Sequence, residues 1–274
     1  MKATANLTTD NELFSSSLEN GVLVIRQKQH ILRMTQDIHA IFSFYEYLES
    51  MLVSRAYKAL VVFGVPETAN HIDHGRFLCK ALSAGRENKI LDRLGNVVNR
   101  LVVTTSTLGA VTVYAGRGTV SLFNLNLSLA YDYRLVADDT QFENPNAAIG
   151  MITKGSGYFL PRLLGVKKAT EVLQWRGFSA EEALQFGIVD RIVPAARLEE
   201  ETMRFVEGSL AGPSSMLLGI RKLLKCDQDA LQRSLAQEDQ LIKERLESPD
   251  FRQAFTDYCR EKFGCDMETL LKAG

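Results

Sequence analysis

Short apolar runs rich in β-branched residues alternate along this chain with longer stretches in which apolar residues return every three or four positions. Gly21-Val22-Leu23-Val24-Ile25, Lys58-Ala59-Leu60-Val61-Val62-Phe63, Ala110-Val111-Thr112-Val113-Tyr114 and Tyr133 to Ala137 read as buried strands. Gly64 and Pro66 stop the second of them. Ile38, Ile41, Phe42, Tyr45, Leu48 and Leu52 recur at helical spacing and predict an amphipathic helix over 38–53. Helical pattern resumes through Leu78 and Leu82, after a polar loop holding His71 and His74, and again from Ile90 to Leu101. Residues 1–20 are polar and read as a loosely held arm. Strands separated by helices imply ββα units and a layered α/β sheet.

Further along, Ser179 with Glu182 is a capping-box signature for a helix ending at Gly187, followed by a strand from Ile188 to Val193. From Arg197 onward the pattern is helical: around Phe205, then Pro213 to Leu224, Ala230 to Leu246 and Pro249 to Phe263. The expectation is an α/β core over 1–195 and a helical C-terminal region over 196–274, with no low-complexity linker between them.

Composition narrows the class without changing that picture. The 274 residues suffice for one large domain or a domain with a helical annex. With 46% hydrophobic and 24% charged residues the chain sits at globular averages. A formal net charge of −1 gives no electrostatic case for nucleic acid or an anionic membrane surface. No apolar run approaches the ~18 residues needed to span a bilayer, and the start lacks the apolar core of a signal peptide. Cys79, Cys226, Cys259 and Cys265 are scattered without a Cys-x-x-Cys pair, so reduced structural thiols in a cytoplasmic protein are expected.

The stretch from Gly116 to Leu164 organises the rest. It opens on a Gly-Arg-Gly turn and runs through the Asn-studded segment Ser121–Leu129 and the strand Tyr133–Ala137. It continues to a loop ending at Pro145-Asn146, then to a Gly-rich entry (Gly155, Gly157) into another helix. Turns that bare the backbone beside a buried segment suit a site built from main-chain N–H groups. The order resembles the crotonase (enoyl-CoA hydratase/isomerase) superfamily, with its N-G-x-x-x-G-G-G-x-E…C-D, F-G-x-P-E and G-x-x-P-x-x-G-G motifs. Gly187 to Pro194 is similar to the family's G-L-V-D-x-V-V-P, and Gly150 to Gly165 to its G-x-x-P-x-x-G-G-x-x-x-L-P-R-L-x-G. The resemblance covers most of the chain and is weak before Lys58.

That resemblance implies a crotonase-like spiral of ββα units with a helical C-terminal region, assembled as a homotrimer or dimer of trimers. It also implies an acyl-CoA or other acyl thioester as ligand, with no tightly bound cofactor and coenzyme A arriving as part of the substrate. Between Ser121 and Leu129 it competes with the local pattern. Phe123, Leu125, Leu127 and Leu129 alternate with polar residues like a strand, while the family has a helix there. Leu favours helix and Asn disfavours strand, so a helix is expected.

In the family two backbone N–H groups hold a thioester oxyanion, and losing one such donor costs on the order of 3 kcal/mol of barrier. Counting back from Asp132, the family's Gly-Gly-Gly run falls on Leu122-Phe123-Asn124, so the N–H of Phe123 is one expected donor. The other loop matches Asn70-His71-Ile72-Asp73, which makes His71 its counterpart. Phe123 brings side-chain volume into the space of the thioester. The two hydratase glutamates fall on Asn126 and Asn146, amides that can orient a group but cannot exchange a proton near neutrality. Catalytic candidates are therefore Asn126 and Asn146, with His71 and Asp73 as proton carriers. His74, Leu122, Lys154, Tyr258 and Lys262 are ligand-contact candidates. His71, Asp73 and His74 have ligand chemistry for a metal but no supporting pattern elsewhere, so no metal is expected. Two functions stand open: an enzyme on acyl thioesters without a glutamate pair, and a non-catalytic acyl- or partner-binding protein.

Overall fold

The computed structural model describes residues 7–35, 37–65, 70–83, 89–212, 214–224 and 227–272; for residues 70–73, 214, 215, 217, 222 and 272 it describes the backbone. The chain begins with β1 (Thr9–Asp10), β2 (Phe14–Glu19) and β3 (Val22–Gln27). The helices α1 (Ile31–Met34) and α2 (Ile38–Val53) lead to β4 (Ala59–Phe63), and α3 (Asn70–Ser83) and α4 (Lys89–Thr107) lead to β5 (Val111–Gly116). Next come β6 (Thr119–Ser121), α5 (Leu122–Ser128), β7 (Tyr133–Ala137), β8 (Gln141–Glu143) and α6 (Pro145–Ile149). The series α7 (Leu160–Gln174), β9 (Gly177–Ser179), α8 (Ala180–Gln185) and β10 (Arg191–Val193) follows. A 3-10 turn at Ala195–Arg197 then introduces α9 (Leu198–Leu210), α10 (Ser214–Leu223), α11 (Gln228–Glu247), α12 (Pro249–Phe263) and α13 (Met267–Lys272).

The strands form two sheets. The larger runs β1-β2-β3-β4-β5-β7-β10, antiparallel through β3 and parallel from there on; the smaller runs β6-β8-β9. Parallel strands buried on both faces read as unbroken apolar runs, which is why β3, β4 and β5 were legible. On one face Leu23, Ile25, Leu60 and Val62 meet Leu48 and Met51 of α2. On the other, Val22, Val24, Val61, Val111 and Val113 meet Val206 of α9. This α/β spiral with helices closing its end is the expected fold class. No helix among the described residues is long and apolar enough to cross a membrane.

Five local expectations need correction. Of the stretch expected to be a loose arm, residues 1–6 lie outside the described residues and residues 7–20 are not loose: β1 and β2 add two strands to the sheet, and the inward position Ser16 disguises them by being polar. Ser16 is buried because its hydroxyl donates to the Leu7 carbonyl, at 2.8 Å. The strand expected from Ile188 is only Arg191–Val193, because Gly187 turns at φ +73° and the Ile188 carbonyl accepts from Arg134 Nε at 2.6 Å. The loop expected around His71 and His74 is the start of α3. Asn146 lies inside α6, where Pro145 opens the helix, rather than at a loop end. On α2, Ile38 and Phe42 face outward, while Ile41, Tyr47, Leu48 and Met51 carry the burial.

The contested segment is a helix. Ser121 caps it in extended conformation, accepting from the Asn124 N–H at 3.3 Å, and Leu122, Leu125 and Leu129 then share the inward stripe. The Ser179–Glu182 capping box is also present in both directions.

Candidate functional site

The helix α5, the loop 151–159 and α6 converge on one region. Asn126 is 1% exposed, and its Nδ2 donates to Thr153 Oγ1 at 2.7 Å and to the Lys154 carbonyl at 3.2 Å. Its Oδ1 is buried with no hydrogen-bond partner among the described residues, and so is Oδ1 of Asn146. Buried amide oxygens are nearly always satisfied in a scaffold, so these two exceptions stand out. Asn144 positions Asn146: it caps α6 by accepting from the Ala147 N–H at 3.3 Å and donates to the Leu173 carbonyl at 2.9 Å.

A cavity of about 20 Å³ lies here, lined by His30, His74, Ser121, Phe123, Glu143 and Asn146 among others. That volume holds about one or two water molecules. Phe123 is one of the lining residues and packs against two apolar clusters, with the His30 ring 5.9 Å away. Its N–H belongs to the first turn of α5, where helical backbone donors lack an intrahelical acceptor. His30 caps α1 by accepting the Leu32 N–H on Nδ1 at 3.2 Å.

The Gly-rich turn is already occupied from within. Gly155 sits at φ +87°, and its N–H donates to Glu238 Oε2 at 2.8 Å; Gly157 donates to Oε1 at 2.6 Å. A Cβ on Gly157 would stand 2.9 Å from that oxygen, so the bare backbone serves the approach of α11. Lys154, expected at a ligand, is 3% exposed. Its Nζ donates to the Leu235 carbonyl at 2.7 Å and pairs with Asp239 Oδ1 at 2.9 Å, with Glu238 at 3.7 Å. Burial raises the Glu238 carboxyl above the ordinary value, against the pull of the two glycine N–H groups and Lys154. Leu122 is likewise a core residue, 1% exposed among Val120, Phe142 and Leu160.

Tyr258 and Lys262 face a different space, an open groove of about 820 Å³ along α12 that also touches Arg176, Asp257 and Glu261. Glu143, Asn144 and Pro145 line both this groove and the inner cavity. The Tyr258 hydroxyl is shifted up, by burial first and then by neighbouring charge on Cys259 and Glu143. His71 and Asp73 belong to the first turn of α3, and their side chains lie outside the described residues. His74 is half-buried at the cavity.

Three residues escaped the sequence reading. Glu143 stands where the resemblance places the glycine of F-G-x-P-E, a visible departure. Glu238 sits on the apolar stripe of α11 with Leu231 and Leu235, and an acid on such a stripe signals a buried partner. His30 carries no motif; only the fold brings it to the cavity.

The family model for enoyl-CoA hydratase/isomerase matches residues 85–266. A trans-2-decenoyl-[acyl-carrier-protein] isomerase of Streptococcus mutans is 26% identical over 179 residues, covering 63% of this chain and 68% of that protein. The fatty acid oxidation complex subunit alpha of Pseudomonas syringae pv. tomato is 31% identical over 121 residues. That match covers 43% of this chain and spans only 17% of the length of that protein. Among solved structures, an enoyl-CoA hydratase from Bacillus halodurans superposes with a TM-score of 0.76 at 19% identity, over 89% of this chain and 98% of that one.

Proposed function

The chain belongs to the enoyl-CoA hydratase/isomerase family, and from that premise we propose that it binds an acyl thioester, such as an acyl-CoA, and acts on it without a glutamate pair. The observation that carries this reading is the amide chemistry at Asn126 and Asn146. Hydration of a double bond needs one group to take a proton from water and another to deliver one. Asn126 can do neither, and its amide nitrogen is spent on Thr153 and the Lys154 carbonyl. The groove beside Tyr258 and Lys262 supplies room for the polar part of a large thioester. No tightly bound cofactor is proposed, and coenzyme A enters as part of the substrate.

The test is to mix the purified protein with crotonyl-CoA and follow the loss of enoyl absorbance, with binding measured separately by calorimetry. The expected result is binding without hydration above the uncatalysed rate. Robust hydration would contradict the proposal. Installing glutamate at both sites, Asn126→Glu with Asn146→Glu, should give at most feeble hydration while Phe123 remains.

A second reading, binding without catalysis, is favoured by the inner cavity of about 20 Å³ with the Phe123 ring beside it. Turnover of any member of a panel of CoA and carrier-protein thioesters excludes it.

A further inference from the structure

We propose that Cys265, Cys259 and Cys79 form a thiol relay through which a small disulfide, such as oxidised glutathione, closes a Cys79–Cys259 bridge between α3 and α12. The periodicity of α12 puts Phe251, Phe255 and Cys259 on one fully buried stripe. Phe77, Leu78, Cys79 and Leu82 of α3 belong to the same apolar cluster, and Cys265 packs against it. Gly75 lets α3 meet the end of α12 closely: a Cβ there would stand 2.8 Å from the Phe263 ring. Within the cluster the Cys79 thiol donates to the Cys259 sulfur, and Cys265 is near enough for its charge to act on both. Helix α12 ends on Gly264 at φ +66°, whose N–H donates to the Arg260 carbonyl at 3.1 Å. A left-handed cap of this kind folds the next residue back over the last helical turn, which brings half-exposed Cys265 beside Cys259. The three sulfurs thus run from the surface into the core.

Of the three, only Cys265 meets solvent, so it is the point of entry. Its thiolate attacks one sulfur of glutathione disulfide. That S–S bond breaks, and one glutathione leaves as a thiolate and takes up the proton that Cys265 gave up. Cys259 then attacks the Cys265 sulfur and releases the second glutathione. Cys79 attacks Cys259 in turn, which forms the Cys79–Cys259 bond and returns Cys265 to a free thiol. Two protein thiols are oxidised, and one glutathione disulfide is reduced to two glutathione thiols. Burial raises both inner thiols, Cys79 to about 12, so each inward exchange is slow and direct attack on the oxidant is closed to them. The same burial shields the finished bond from the glutathione that would reopen it. The bridge joins helices that carry walls of two spaces: His74 of α3 lines the inner cavity, and Tyr258 and Lys262 of α12 line the outer groove. Oxidation therefore pins α3 to α12 and holds those walls at a fixed spacing, whichever ligand the groove takes.

The probe is oxidised glutathione at about pH 8, applied to the native full chain carrying Cys226→Ser, which keeps the fourth thiol out of the chemistry. Intact mass and non-reducing peptide mapping are followed over a day. The expected product is two hydrogens lighter, free of glutathione and linked between Cys79 and Cys259. Its unfolding temperature should rise by about 5 °C or more, because the bond closes a long loop. Adding Cys265→Ser should slow bridging by at least about tenfold. Adding Cys79→Ala should stop the exchange at a Cys259–Cys265 bridge. Thermal melting checks that variant, and the surface change Cys265→Ser keeps the test decisive if Cys79→Ala does not fold. A lasting glutathione adduct on Cys265 without any bridge would overturn the relay, as would no reaction at any of the three thiols. Bridging at equal speed in Cys265→Ser, or a bridged protein that melts below the reduced one, would overturn it too.

Discussion

Around Lys154, charged groups from three parts of the fold meet and nearly all are answered. Lys154 Nζ has the Leu235 carbonyl and Asp239, the oxygens of Glu238 have Gly155 and Gly157, and Asp239 Oδ2 has Asn99 Nδ2 at 2.8 Å. Only the Asn99 carbonyl oxygen at the edge lacks a partner among the described residues. The cavity beside Phe123 gathers His30, His74, Ser121, Glu143 and Asn146, and the amide oxygens of Asn126 and Asn146 are buried with no hydrogen-bond partner among the described residues. The first cluster ties α4, the Gly-rich turn and α11 together. Beside the second, two buried amide oxygens have no hydrogen-bond partner among the described residues. Completeness of hydrogen bonding separates the strap from the site better than residue type does.

Breaking the strap should have the largest effect. Lys154→Met leaves Glu238 and Asp239 without their cation in a buried setting, and should cost about 3–5 kcal/mol in urea unfolding. A loss below about 1 kcal/mol would show that the strap is ornamental. Its pH behaviour has a definite sign. Because the folded carboxyl of Glu238 is raised, its contribution is fully present below the ordinary value of 4.5 and is lost as pH climbs through the folded value. The cost of Glu238→Gln relative to wild type should therefore shrink as pH rises above 4.5, and a growing cost would reverse the assignment.

The next effect down lies at the boundary between the two regions. Phe123→Ala removes a half-buried ring and should cost about 2–3 kcal/mol in the same assay, less than a fully buried phenylalanine. Thiol labelling reports on the neighbouring α3–α12 contact. Burial pushes the Cys79 thiol up to about 12 and raises that of Cys259, so both should resist iodoacetamide in the native protein at mild alkaline pH while half-exposed Cys265 reacts. Equal labelling rates would mean that this part of the core opens readily. Smallest of all, Asn146→Ala deletes an amide whose oxygen has no described partner, and should change stability by less than about 1 kcal/mol. A larger loss would move Asn146 from the site to the strap.

The same contrast explains what could be read in the letters. The sheet was legible where strands are buried on both faces, as in Leu60 to Val62, because continuous apolar runs leave few alternatives. Helix α5 was legible through its Ser121 cap and leucine stripe despite a competing period of two. β2 was not, since Ser16 takes a core position by donating to Leu7. Lys154 could not be placed from local sequence, because the Leu235 carbonyl that receives it is 81 positions away. Of Phe123, Asn126 and Asn146, Phe123 and Asn146 line the cavity while Asn126 does not, and Glu143 and His30 reach it by strand pairing and helix capping.

The account depends on Phe123 standing in the space that the acyl group of a ligand must enter. Calorimetric titration of butyryl-CoA into wild type and Phe123→Ala compares the closed and opened cavity directly. At least about tenfold tighter binding by Phe123→Ala, worth about 1.4 kcal/mol, is the predicted result. Equal or weaker affinity in a folded Phe123→Ala protein would contradict it.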